Sequence, residues 1–290
     1  MTVKTVNDRN ALNTHVRAVK QAKNTVRFIF ALLITLVFIF PIFWMVSTSL
    51  KPEDEVLNAT QTLLPVKWQF SNYATVMRKE PFLRYMLNTA IVTAGSMLLE
   101  LSTGILAAYS FARGRYRGKH AMFIFVLGAM MVPIQVTFVP LYVMIARAGL
   151  KNTYLGLIIV GAVSPYTIFM LRQAFKQIPD ELVESARLDN ASELQIMTRI
   201  MLPMAKSSMV TIAMFSFVSH WNAYFWPLVM TNNDKYRPLT MYIEKIKDAE
   251  YGLIWNNIMA ANVILVVPVL IVFLFASKKI IKAFAYNGMK

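Results

Sequence analysis

Six blocks of apolar residues, each about as long as a bilayer is thick, dominate this sequence and leave few folds open to it. A helix needs roughly 20 predominantly apolar residues to cross the hydrocarbon core. The blocks fall near 28–50, 87–111, 121–145, 153–171, 207–230 and 255–276, with little charge inside any of them. The apolar residues run in continuous stretches rather than in stripes at helical spacing. The sequence therefore predicts an all-α integral membrane protein with six transmembrane helices. Pro133, Pro140, Pro165 and Pro268 lie inside these blocks. A membrane bundle tolerates them because neighbouring helices re-satisfy the freed backbone groups.

The net charge of +15 suggests nucleic acid only in a soluble chain. Here the basic residues flank the apolar blocks, so nucleic acid is not expected as a partner. With the N-terminus inside, the inner segments hold 19 Lys and Arg and the outer loops 11. The positive-inside rule then places both termini in the cytoplasm. The chain reads as a cytoplasmic tail over 1–27, a permease domain over 28–276 and a second cytoplasmic tail over 277–290. The basic start is too long, and the apolar run after it too extended, for a cleavable signal peptide. Cysteine is absent, and His15, His120 and His220 stand too far apart for a metal motif.

Between the fourth and fifth blocks lies a polar stretch, 178–203, that carries the most information. Pro179 suits a first helical turn, and Asp180, Glu181 and Glu184 suit the positive end of the helix dipole. Leu182 and Ala186 recur at i, i+4, which predicts a short amphipathic helix. Asn190 is suited to a left-handed cap, and Asp189 or Ser192 to the start of a second helix running into Leu202 and Pro203. One reading is a helix lying on the membrane surface. The other is a docking element, in which small residues allow close approach and carboxylates meet Arg on a partner.

The residues Glu184-Ser185-Ala186, then Asn190, then Ile200-Met201-Leu202-Pro203 resemble the EAA signature of ABC importer permeases at every spacing. Ser185 replaces the first Ala and Asn190 the Gly. Asn72-Tyr73, Asn88-Thr89, Ala107 to Arg113, Met131-Val132-Pro133, Gly149 to Thr153 and Trp221 to Leu228 extend the similarity over most of the chain. The resemblance is to carbohydrate-uptake permeases, the maltose-transporter G-type subunit family, which includes the glycerol-phosphate permease. It implies a type I importer fold with 178–203 as a cytoplasmic coupling helix. Its partners would be a second, different permease chain, two ATPase subunits and an extracytoplasmic solute-binding protein, in a bacterial cell membrane. ATP and Mg would be held by the ATPase subunits, with no cofactor in this chain. Glu184, Ser185, Ala186, Asp189, Asn190, Leu202 and Pro203 would couple to the ATPase. Glu184 and Ala186 would touch it directly, Ala186 by leaving room for its groove.

Other features offer weaker chemistry. Gly114 to Lys119 lacks the glycine spacing of a phosphate loop and has His120 where Ser or Thr should bind magnesium. No catalytic residue and no metal site emerges. Glu100 sits mid-span, where a carboxylate is costly and faces the bundle interior. It serves either as a solute contact or as a structural hydrogen-bond acceptor. Asn222 and Tyr224 are further candidates for the solute pathway, whereas Trp226 fits an interfacial aromatic belt. A secondary transporter independent of ATP would show matching broken helices in two repeats, and no repeat is evident. A membrane enzyme would need a cluster of acid–base groups that this sequence lacks.

Overall fold

The computed structural model describes residues 3–58, 60, 62–78, 81–247 and 254–287, with side chains placed within 20–277. Every regular element among the described residues is helical. The chain opens with α1 (Val3–Ser49), followed on the loop side by α2 (Glu53–Leu57) and α3 (Ser71–Arg78). Next come α4 (Phe82–Arg113), α5 (Lys119–Met130), α6 (Ile134–Arg147), α7 (Tyr154–Ile158) and α8 (Pro165–Lys176). The polar stretch forms α9 (Asp180–Leu188), α10 (Glu193–Ile196) and α11 (Leu202–Met204). The remainder is α12 (Lys206–Trp221), α13 (Phe225–Met230), α14 (Leu239–Ile246) and α15 (Trp255–Asn287).

Three described helices are long and apolar enough to cross a membrane: Lys20–Ser49, Phe82–Arg113 and Trp255–Ser277. Three more candidates are bent pairs. Helices α5 and α6 meet at 99°, Tyr154–Gly161 meets α8 at 45°, and Glu193–Met204 meets α12 at 85°. The count is therefore three straight spans, or up to six if each bent pair is one span. Proline accounts for two of the breaks. Pro133 is in an extended conformation just before α6, and Pro165 begins α8 behind the Ser164 cap. A proline supplies no amide to the preceding turn and excludes the α conformation from the residue before it. The block expected at 207–230 is likewise divided, since α12 ends at Trp221 and α13 begins at Phe225. Conversely, α15 runs on past Ala276, and α1 begins far ahead of its apolar block.

Helix α4 is the axis of the bundle. It packs against α8 and α12 along its length, and against α3, α5, α7 and α14 at its ends. Lipid cannot drive such helices together by hydrophobicity, so close packing and buried hydrogen bonds must do so. Small residues make the approach possible. Ala108 is fully buried, and a Cβ at Gly104 would lie 2.7 Å from Thr167 Cγ2. The loop side is fastened by amides. Asn72 Nδ2 donates to Ser49 O and Lys51 O, both at 2.9 Å. Asn88 Nδ2 donates to Lys235 O and Arg237 O, while its Oδ1 accepts from Tyr154 at 2.6 Å. By contrast α1 lies along α15 and leaves Phe28, Phe38 and Val37 exposed. An apolar surface of that kind suits lipid or another membrane chain.

Gly104→Leu should force α4 and α8 apart, at a cost of about 1–3 kcal/mol for overpacking. Thermal unfolding in detergent should show a clear loss of stability. Gly128→Leu, where nothing lies within 4 Å of an added Cβ, should leave the midpoint unchanged. Equal stability of the two variants would refute this packing.

Candidate functional site

Two polar constructions stand out against the apolar bundle. The first is the helical loop formed by α9, α10 and α11. Pro179 precedes α9, and Asp180 and Glu181 occupy its first turn. Asn190 adopts φ 57°, and the helix closes in a complete Schellman motif. The Asn190 amide donates to Arg187 O at 3.1 Å and the Ala191 amide to Ala186 O at 3.0 Å. Asn tolerates this left-handed backbone better than other non-glycine residues, which explains its place here. Ser192 then starts α10 with a capping box: its hydroxyl accepts from the Gln195 amide, and Gln195 Oε1 accepts from the Ser192 amide. Between α10 and α11 the chain forms a π-helical turn, Met197–Met201. Pro203, which has no amide hydrogen to give, follows it directly.

The amphipathic pattern decides which face points where. Val183 and Ala186 are buried in the chain's own inner core, with Phe175, Ile178, Ile196 and Met201. Ala186, expected from the sequence to touch the ATPase directly, is 8% exposed in this chain. An alanine one turn from Val183 shares its inward stripe, and its small size serves the chain's own packing. The outward surface is instead Leu182, Glu184, Ser185, Leu188 and Asp189. Leu188 is 84% exposed, and the Glu184 side chain 60% exposed. Leu202 is half-buried against the inner core, and Pro203 is exposed.

Charge fastens this loop to the end of α4. Arg113, buried, donates to Phe175 O at 2.9 Å and to Ile178 O, and pairs with Asp180. Arg172 Nε donates to Phe111 O at 3.1 Å and stacks 3.8 Å from the Phe123 ring. Arg187 grips Glu193 with two bonds, at 2.9 and 3.2 Å, and the Tyr109 hydroxyl donates to the same carboxylate. Arg187 first, then Tyr109, holds the Glu193 carboxyl below the usual carboxylate range. None of these braces was assigned a role from sequence, although Tyr109 and Arg113 lie in the Ala107 to Arg113 segment. Their partners are 62 to 84 positions away, so no local pattern marks them.

The second construction surrounds Glu100, 6% exposed in the middle of α4. Its Oε1 accepts from the Thr167 hydroxyl at 2.5 Å, and its Oε2 from Ser216 at 2.5 Å. His220 Nε2 lies 2.8 Å from Oε2. One carboxyl thereby joins α4, α8 and α12. A cavity of about 470 Å³ opens beside it, lined among others by Ser164, Tyr166, Phe215 and Ser219. Gly161 admits the imidazole closely, since a Cβ there would lie 2.6 Å from His220 Cε1. Glu100 is thus both a hydrogen-bond acceptor for two neighbouring helices and part of the cavity lining. Asn222 and Tyr224 do not join it. Asn222 caps its own helix through Val218 O at 2.9 Å, and neither side chain lines the cavity. Trp226 is half-buried, donates to Gly156 O at 3.0 Å and packs on Phe138. Among the described residues no group of three or more His, Cys, Asp and Glu is placed to hold a metal ion.

Comparison with known proteins agrees with this architecture. Residues 100–285 match the model of the "Binding-protein-dependent transport system inner membrane component" family. The diacetylchitobiose uptake system permease protein NgcG of Streptomyces coelicolor is 31% identical over 253 residues, covering 85% of this chain and 82% of that protein. The arabinooligosaccharides transport system permease protein AraQ of Bacillus subtilis is 28% identical over 265 residues, with 90% and 94% covered. A chain from the crystal structure of a bacterial ABC transporter importing the acidic polysaccharide alginate superposes with a TM-score of 0.79 at 26% identity, covering 89% of this chain and 96% of that one. A helical bundle organised around α4, a match over 100–285 and relatives aligned along most of their length lead to one assignment: this chain belongs to the binding-protein-dependent transport system inner membrane component family, the permeases of ABC transporters.

Proposed function

We propose that this chain forms half of the membrane pathway of an ATP-driven importer for a sugar or oligosaccharide. A second permease chain completes the pathway, two ATPase subunits drive it, and an extracytoplasmic binding protein delivers the solute. The observation that carries this reading is the closed helical loop 178–203. It combines the EAA spacing with an outward face that carries Glu184 and Asp189, and the ionic partner of Glu184 among the described residues is Arg115 at 3.4 Å. The names of the relatives support a saccharide cargo.

In this reading the bent pairs each count as one span, both termini are cytoplasmic, and 28–276 is the membrane domain. Glu184, Ser185, Leu188 and Asp189 meet the ATPase. Ala186, Asn190, Leu202 and Pro203 set the shape of the loop behind them. Nucleotide and magnesium belong to the ATPase subunits. The solute passes the Glu100 cavity, whose Tyr166 and Phe215 rings and Ser164 and Ser219 hydroxyls suit a polyhydroxylated ring, with Asn222 and Tyr224 further along the path.

Glu184→Lys combined with Leu188→Asp should release the ATPase subunits from the purified complex while the chain still inserts. A charge-assisted hydrogen bond contributes about 1.5–3 kcal/mol, and an exposed leucine adds apolar area. Undiminished co-purification would rule out this face as the docking surface. Because the chain has no native cysteine, single cysteines at Asn190 and Asn232 can be labelled from either side of the membrane. They should be reached from opposite faces, and labelling of both from one side would overturn the topology. Glu100→Gln should lower uptake at least about tenfold, the scale of one lost ionic hydrogen bond, with the ATPase subunits retained. Uptake at the original rate would exclude Glu100 from the pathway.

A further inference from the structure

The docking loop can transmit force only if it is rigidly joined to a helix that spans the bundle. Its helices α9 and α10 are only 9 and 4 residues long and have little stability of their own, so the joint needs directional contacts besides the packing of Val183, Ala186 and Ile196. The joint is therefore to be sought in polar contacts between the loop and a long helix. Helix α4 is the one available at this end, and its last turns present Tyr109 and Arg113.

Tyr109 is 9% exposed, its ring set edge-on to Phe175 at 6.5 Å. The ring is locked by packing, so the hydroxyl has a fixed position. It meets Glu193, the first residue of α10. Glu193 is also the carboxylate that Arg187 holds from the last turn of α9. Three elements thus converge on one carboxylate. Arg113, one turn further along α4, ties the α8–α9 connection by its two carbonyl contacts and by Asp180. Nine residues before Tyr109 on α4 is Glu100, which holds α8 and α12. Helix α4 is therefore bonded to the loop at one level and to the cavity-lining helices at another.

We propose that Tyr109 and Glu193 form a latch that makes the docking loop and α4 a single lever, so that movement of the loop is delivered to the Glu100 cavity. Tyr109 is a positioning residue acting through Glu193; it touches neither solute nor nucleotide. The proposal rests on the reading of 178–203 as the ATPase-docking loop. It adds that α4, rather than the connecting turns alone, carries the movement, and that the Tyr109 hydroxyl secures its link to α10. Glu193 is oriented for this by Arg187, whose two bonds leave the carboxylate facing α4.

The test uses the complete complex, with its ATPase subunits, in lipid nanodiscs. Spin labels are placed at Leu194→Cys on α10 and Leu98→Cys on α4, both on exposed side chains of a chain without native cysteine. The distance distribution between them is measured without nucleotide and with ATP and vanadate. The latch predicts one narrow distribution, the same in both states. Tyr109→Phe removes only the hydroxyl, and should broaden the distribution and make it nucleotide-dependent while the ATPase subunits still co-purify. Tyr109→Phe with Glu193→Gln should be no broader than the more affected of the two single variants, because both act on the same Tyr109–Glu193 contact. A nucleotide-dependent distance in the unmodified complex, an unchanged width in Tyr109→Phe, or additive broadening in the double variant would each overturn the latch. Failure of the docking reading is separately visible: ATPase retention would then be indifferent to Glu184→Lys with Leu188→Asp, whatever the label distances show.

Discussion

A carboxyl group inside an apolar bundle must find donors, and Glu100 finds them on two other helices. Thr167 of α8 and Ser216 and His220 of α12 converge on its two oxygens. In an apolar bundle an oxygen left without a donor would cost several kcal/mol. The three helices are thus fixed in both depth and rotation relative to one another. A one-residue slip of α12 would turn Ser216 away by about 100° and leave Oε2 unmet. The hydroxyls and the imidazole that satisfy Glu100 also border the cavity, so the same requirement shapes the wall of the proposed pathway.

The two ends of the bundle repeat this logic with different chemistry. At the loop side, asparagines join segments that are distant in sequence. Asn88 collects two carbonyls of the 231–238 loop and the Tyr154 hydroxyl, and Asn72 collects two carbonyls after α1. At the side of the 178–203 loop, arginines do so. Arg113 serves carbonyls and a carboxylate around the α8–α9 connection, and Arg187 a carboxylate on α10. Guanidinium suits this task because its planar fork of donors reaches several acceptors at once. Between the ends the contacts are small residues and aromatic rings, such as Gly104 against Thr167 and Tyr109 against Phe175.

Proline gives the bundle its breaks. Pro133 and Pro165 interrupt two apolar blocks where a continuous helix would have been the default for such composition. Pro203 follows the π-helical turn that leads into the 85° bend before α12. The last of these bends lets the 178–203 loop fold back beneath α4 and α8 and bury Val183, Ala186 and Ile196. A straight helix through 193–221 would carry those residues out of the core.

The sequence by itself determined the class of this protein and the local form of its polar loop over 178–203. Apolar blocks of bilayer length leave helices as the solution, because a backbone in lipid must satisfy its own hydrogen bonds. The Schellman closure at Asn190 and the capping box at Ser192 are equally local, written in residues three to five positions apart. What only the tertiary structure decided depends on residues far apart in the chain. The inward burial of Ala186 depends on which side of α9 faces α8 and α10, and its alanine is compatible with either. The partners of Glu100 lie 67 to 120 positions away, and those of Arg113 and Tyr109 62 to 84. No periodicity records such pairings, since each donor is an ordinary Ser, Thr, Tyr or Arg until packing brings it to its acceptor.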